Sequence, residues 1–280
     1  MSLKQYIKRG IHYIISGIPV KNIRAEISYL NPNNVLSGKK IVITGGGRGL
    51  GAAMAKKFTS EGAEVLIAGR NEDTLKQTAN IIGCKYLKLD VSDVSTFERF
   101  LLDVDLELNG INVLVNNAGI SLHENSFFDV TPERFDAQIN TNFKGAFFLT
   151  QAFISYLKKN DKKGSVLFMS SETGETVDCR PYGFTKAAIN SMVKGLANLF
   201  AKDGIRINAV APGITASDMT GLSKNGIDGN IYFNGNIIDR IYMPEEVAET
   251  ACFLLSDLSG CVSGQIITCN NSKTVNPRWK

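Results

Sequence analysis

"KKIVITGGGRGLGAAMAKKFTSEG", Lys39 to Gly62, decides the fold. "KKIVIT" is a continuous apolar strand, glycines follow it, and "LGAAMAKKFTSEG" reads as a helix that ends in glycine. A strand that is apolar on both faces belongs inside a sheet covered on both sides. The glycines let the backbone turn sharply and approach a ligand closely. The helix behind them aims its free N–H groups and the positive end of its dipole at the same place. A glycine-rich turn between a strand and a helix is therefore read as a phosphate cradle.

The same alternation continues down the chain. "EVLIAG" predicts a second strand, and "NEDTLKQTANII" a helix opened by Asn71 with acids in its first turn. "KYLKLDV" is a third strand, and residues 95–108 a helix. "INVLVNNAG" is a fourth strand, and one long helix is expected over residues 132–158. "GSVLFMSS" is a fifth strand, with a helix over residues 181–202. "IRINAVAPG" is a sixth, "PEEVAETACFLLS" a helix with proline at its favoured first position, and "GQIITC" a seventh strand. Strands and helices in alternation predict an α/β fold: a doubly wound, Rossmann-type parallel sheet of seven strands with helices on both faces. Residues 39–280 are expected to form a single domain of this kind.

Residues 1–38 read as a basic N-terminal extension. Leu3, Tyr6, Ile7, Ile11, Ile14 and Ile18 recur at helical spacing, and "IRAEISY" alternates as a half-buried strand would. The first 40 residues hold seven positive charges and one negative; the other 240 hold 24 and 26. We read the extension as packing on the body or on a sister subunit, in preference to a membrane-surface helix over residues 1–20. A near-neutral body without a basic aromatic groove does not suit nucleic acid. Five cysteines with no C-x-x-C pair suit reduced thiols and a cytoplasmic protein. His12 and His123 offer no ligand spacing, so no metal is expected.

"TGGGRGLG", Thr44 to Gly51, resembles the nucleotide-binding motif of the short-chain dehydrogenase/reductase family. The resemblance extends through "NNAG" (Asn116 to Gly119), "NTNFKG" with Asn142, the serine pair Ser170–Ser171, "YGFTK" (Tyr182 to Lys186) and "APGITASDMT". These motifs stand in the family's order from residue 39 to 272, and the chain is similar to 3-oxoacyl-(acyl-carrier-protein) reductases and their relatives. The resemblance implies a nicotinamide cofactor and a homo-oligomer, dimer or tetramer. It places the cofactor against Thr44, Gly45, Gly47, Arg48, Gly49, Leu50 and Gly51. It adds Asp90, Val91, Asn117, Ala118, Gly119, Tyr182, Lys186, Pro212, Gly213, Ile214 and Ser217.

An acid at the end of the second strand would bind the 2′-hydroxyl of NAD. Here Gly69 and Arg70 stand there, and Arg48 lies within the glycine motif. Two guanidinium groups suit a 2′-phosphate, so NADP(H) is the expected cofactor, with NAD(H) as the alternative.

Hydride transfer to a carbonyl leaves an alkoxide that must be protonated, and free tyrosine is too weak an acid for the purpose. Lys186, one helical turn after Tyr182, is expected to pull the phenol's pKa down. By resemblance Lys186 also binds the nicotinamide ribose, Ser171 polarises the substrate oxygen, and Asn142 holds a water in a proton relay. Ser170 is the alternative to Ser171, because adjacent residues on a strand end face opposite ways. The loop "ETGETVDCRP" (Glu172 to Pro181) is charged. It suggests a polar small-molecule substrate, sugar-like or acidic, gripped by Arg180; the alternative is a local Asp178–Arg180 ion pair. "TGLSKNGIDGNIYFNGN" (Thr220 to Asn236) reads as a lid. After the last strand the family's D-G-G is replaced by Asn270-Asn271-Ser272. A reductase is thus the leading expectation, and a non-catalytic nucleotide sensor on the same fold the rival.

Overall fold

The computed structural model describes residue 24 and residues 34–217, 219–221 and 230–275. The helix and strand expected within residues 1–33 lie outside these.

The alternating pattern builds one seven-stranded sheet in the order β3-β2-β1-β4-β5-β6-β7, with every neighbouring pair parallel. The strands are β1 (Lys40–Thr44), β2 (Glu64–Gly69), β3 (Lys85–Lys88), β4 (Val113–Asn116), β5 (Gly164–Met169), β6 (Ile205–Pro212) and β7 (Ile266–Cys269). The helices are α1 (Gly49–Ser60), α2 (Glu72–Ile82), α3 (Phe97–Leu108), α4 (Pro132–Gln138), α5 (Gly145–Lys159), α6 (Pro181–Phe200) and α7 (Pro244–Leu255).

Side chains alternate across the sheet, so each strand feeds two cores. Val42, Leu114, Val166, Phe168 and Ile207 face α3, α5 and α6, meeting Phe100, Leu149, Phe153 and Ile189. Ile41, Ile43, Val113, Val115 and Leu167 face α1, α2 and α7, meeting Met54, Phe58, Leu75 and Val247. Leu36, from the stretch read as extension, is fully buried in this second core.

Helix ends follow local chemistry. The Asn71 side chain caps α2 by accepting from the Thr74 amide at 2.9 Å, and Gly83 ends it in the left-handed region. Thr131 caps α4, with Pro132 in its first turn. One expectation changes. The helix predicted over residues 132–158 is not continuous: a π-helical segment, Ile139–Lys144, separates α4 from α5. A 3.6-residue pattern does not register one widened turn, and such segments favour functional sites.

The strand order reverses between β1 and β4. That switch point opens a crevice at the carboxyl ends of the strands, where ligands of such sheets bind.

Candidate active site

The crevice floor is made of backbone. Gly45 has a φ of +64°, and a Cβ there would lie 2.9 Å from the Ala118 Cα. A Cβ on Gly51 would overlap the Gly45 carbonyl oxygen. The loop can therefore fold this tightly only with glycine at both positions. Thr44 and Asn117 lock the ends of β1 and β4 together. The Asn117 and Ala118 amides donate to Thr44 Oγ1 at 3.0 and 3.1 Å, and Asn117 Nδ2 donates to the carbonyls of Thr44 and Gly45. Gly47 is tied to α2 through Thr78, whose hydroxyl donates to its carbonyl at 2.7 Å.

Helix α1 begins here with neither a side-chain cap nor an acidic residue in its first turn. Its N–H groups at Gly49, Leu50 and Gly51 suit a pyrophosphate, as does the space the glycines leave. Ser217, beyond β6, packs beside Gly49. Arg48 is exposed at the start of α1, and Arg70 is exposed just past β2. Partial burial raises the Asp90 carboxyl, but bonds from the Ser92 amide and hydroxyl and the charge of Arg70 outweigh it and hold the group below its usual range. Val91 is buried beside it. The residues present therefore fit a dinucleotide.

The polar side chains converge at the ends of β4 and β5. Ser170 turns into the protein, donating to Asn190 Oδ1 at 2.6 Å. Ser171 turns the other way. Its hydroxyl accepts from the Thr173 amide at 3.3 Å and faces the phenol of Tyr182 closely enough to favour its charged form. The adjacent serines thus part as strand-end residues should, and Ser171 is the one beside the tyrosine.

Lys186 is buried on α6. It donates to the Met169 carbonyl at 2.7 Å and lies 5.4 Å from the centre of the Tyr182 ring. Asn142, in the π-helical segment, is held at both amide ends by Ile120: Oδ1 accepts from its N–H and Nδ2 donates to its C=O, each at 2.8 Å. Asn142 Nδ2 also reaches Thr185, whose hydroxyl donates to the Tyr182 carbonyl. Gly119 faces both Asn142 Oδ1 and Lys186 Nζ.

The electrostatics differ from expectation. Burial pushes the Tyr182 phenol up, more than the neighbouring Ser171 hydroxyl and the charge of Arg180 bring it down. Burial also pushes Lys186 down, to about 8. The pair is thus tuned by desolvation of both members, and the phenol keeps its proton at neutral pH.

The charged loop before α6 is tied within the protein. Arg180 Nε and Nη2 fork onto Asp178 at 2.9 and 2.7 Å, so the local ion pair is formed by the side chain expected to grip substrate. Glu172 is buried against Asn270 and Lys273, and Glu175 accepts from Asn190 Nδ2 at 2.6 Å. Pro212 ends β6, and the Gly213 amide donates to Cys269. Ile214 accepts from the Tyr242 amide at 3.0 Å. His123, itself left-handed at φ 49°, reaches across the crevice to the Met219 carbonyl at 2.7 Å.

Residues 45–271 match the family model described as enoyl-(acyl carrier protein) reductase. The chain belongs to the short-chain dehydrogenase/reductase family. A 3alpha-hydroxysteroid dehydrogenase of Mediterraneibacter gnavus is 31% identical over 245 residues, 84% of this chain and 96% of that protein. A 3-oxoacyl-(acyl-carrier-protein) reductase of Aquifex aeolicus is 31% identical over 243 residues, 84% of this chain and 97% of that one. Among solved structures, a short-chain type dehydrogenase/reductase from Mycobacterium marinum superposes with a TM-score of 0.77 at 27% identity, covering 86% of this chain and 97% of that chain. As a short-chain dehydrogenase/reductase, this chain is an oxidoreductase of alcohol and carbonyl groups that uses a nicotinamide dinucleotide. Among the described residues no helix is long and apolar enough to cross a membrane.

Sequence reasoning did not find Thr185, Asn190, Lys273 or the π-helical segment. Thr185 and Asn190 sit one turn and two turns beyond Tyr182, and that spacing was the available signal. Lys273 is 101 residues from its partner, and no local pattern marks it.

Proposed function

We propose that this chain is an NADP(H)-dependent carbonyl reductase or secondary-alcohol dehydrogenase acting on a polar small molecule, working as a homo-oligomer. The observation that carries the reading is the convergence of Ser171, Tyr182, Lys186 and Asn142 beside the glycine cradle. A nucleotide sensor needs the cradle alone.

When bound, the nicotinamide supplies the hydride in reduction or accepts it in oxidation. In reduction, the Ser171 hydroxyl donates a hydrogen bond to the substrate oxygen and polarises the carbonyl. The Tyr182 phenol then gives its proton to that oxygen as negative charge develops on it. The Lys186 ammonium stabilises the phenolate that remains. Asn142 fixes the Ile120 backbone beside this group and lines the route by which the phenol regains a proton.

The preference for NADP(H) is supported by Arg48 and Arg70, which replace the acid that NAD enzymes present to the ribose. The polar substrate is supported by the polar character of the loop from Glu172 to Pro181, even though its charged groups are tied within the protein. Acetoacetyl-CoA and a 3-oxosteroid probe the two chemistries in the relatives' names. The test is a thermal-shift and turnover panel of NADPH and NADH with each. NADPH should stabilise more than NADH, and acetoacetyl-CoA should be reduced faster than the steroid. Greater stabilisation by NADH would overturn the cofactor assignment. Preference for the steroid would overturn the substrate class.

A further inference from the structure

The turn that carries Ser171 is fixed from outside by the C-terminal segment. Residues Glu172–Gly174 form a single 3-10 turn, capped by the Ser171 hydroxyl itself. Two carboxylates pin it. Glu175 is held inward by Asn190 of α6, the residue that also takes the Ser170 hydroxyl. Glu172, one peptide bond from Ser171, is held outward by residues beyond β7. Asn270 Nδ2 donates to its Oε2 at 3.2 Å, and Lys273 Nζ to its Oε1 at 2.9 Å. Lys273 also reaches Asn236 Oδ1 at 3.4 Å. Asn236 is buried and donates to the carbonyls of Ile214 and Arg240, gathering the segment that follows β6. One ammonium therefore joins three segments around the serine.

The backbone is strained to achieve this. Asn271 and Ser272 are consecutive non-glycine residues in the left-handed region, at φ 49° and 63°. Strain of this kind persists where the surroundings enforce it, and it clusters at functional sites. Here the left-handed pair reverses the chain so that the residues on either side of it, Asn270 and Lys273, meet one carboxylate. Without Lys273, Glu172 would be a buried carboxylate lacking its cation, and such a group moves or takes up a proton. Either response shifts the peptide attached to Ser171.

We propose that Lys273 is a positioning residue: by pairing with Glu172 it sets the Ser171 hydroxyl relative to the Tyr182 phenol. This rests on the oxidoreductase reading for its catalytic consequence, though not for the clasp itself. The test compares Lys273→Met, Lys273→Arg and wild type by hydrogen–deuterium exchange and by NADPH-dependent reduction of acetoacetyl-CoA. Protection at residues 173–175 reports the clasp, because those amides donate to Ser171 and Glu172. Lys273→Met should raise exchange there by about tenfold or more and leave residues 41–44 unchanged. It should lower kcat without changing KM for NADPH, and Lys273→Arg should restore both. Unchanged exchange at residues 173–175, or arginine failing to restore it, would overturn the clasp. Raised exchange with unchanged kcat would overturn the positioning of Ser171. A wild type that does not reduce acetoacetyl-CoA at all would count against that substrate and against a catalytic role for the clasp, while the exchange result would still decide whether the clasp exists.

Discussion

The two sides of the crevice are built by different means. On the cofactor side, at the ends of β1 and β4, the shape comes from backbone and from the side chains that could not be larger. Gly45, Gly51, Thr44 and Asn117 meet within a few ångströms, and their contacts run to main-chain atoms. On the substrate side, beyond β5 and β6, the shape comes from side-chain pairs drawn from distant parts of the chain. Glu172 meets Lys273, Ser170 meets Asn190, and His123 meets Met219. A backbone-built site tolerates little change and serves one shared ligand. A side-chain-built site can be rewritten pair by pair. The contrast explains how one fold keeps its cofactor while its substrates diverge.

The largest effect is expected at the buried lysine, which belongs to both sides. Lys186→Met should lower kcat about 10³-fold, as expected for loss of the group that stabilises the proton donor's anion. The same change should raise the thermal midpoint by a few degrees, because burying the ammonium, whose pKa falls from 10.5 to about 8, costs on the order of 3 kcal/mol. The two halves of this prediction are read by steady-state kinetics and calorimetry. An unchanged or lower midpoint would mean the Met169 hydrogen bond outweighs the desolvation.

Next comes the backbone side alone. Gly51→Ala should weaken NADPH binding about 100-fold or more, since the new methyl falls on the Gly45 carbonyl. Isothermal titration measures it, and retained affinity would mean the loop is not a fixed cradle.

The arginines should discriminate rather than bind outright. Arg48→Ala and Arg70→Ala should each weaken NADPH about tenfold, roughly 1.4 kcal/mol, and leave NADH within twofold. Equal loss for both cofactors would remove the 2′-phosphate from the account.

The smallest effect is in pH. Lys186 loses its charge as pH rises through about 8, so reductive kcat should fall several-fold across that range. The sign for stability is opposite. The folded value lies below the unfolded 10.5, so this group's penalty is relieved between about pH 8 and 10.5.

Much of this was legible in the sequence, and unevenly so. The strands, the helices and the cradle follow from local rules: apolar strands, glycines before a helix, Asn71 and Pro244 at helix starts. Tyr182, Lys186 and Asn142 came from motifs in register, and the structure brings them together. Three things were hidden and a fourth was half seen. The π-helical turn leaves no mark on a 3.6-residue pattern. The upward shift of the Tyr182 phenol comes from burial, which spacing does not report. The engagement of Arg180 by Asp178 was foreseen only as one of two alternatives, and Lys273 on Glu172 is a contact across 101 residues. Local sequence carries the backbone-built side, and tertiary contact decides the other.

The central claim is that the phenol of Tyr182 does the chemistry on a cradle that binds without it. Tyr182→Phe tests it most directly, with NADPH titration and turnover measured on the same preparation. An NADPH Kd within about twofold of wild type and a fall in kcat of about 10³-fold or more are expected. Turnover that survives the loss of the hydroxyl would contradict it.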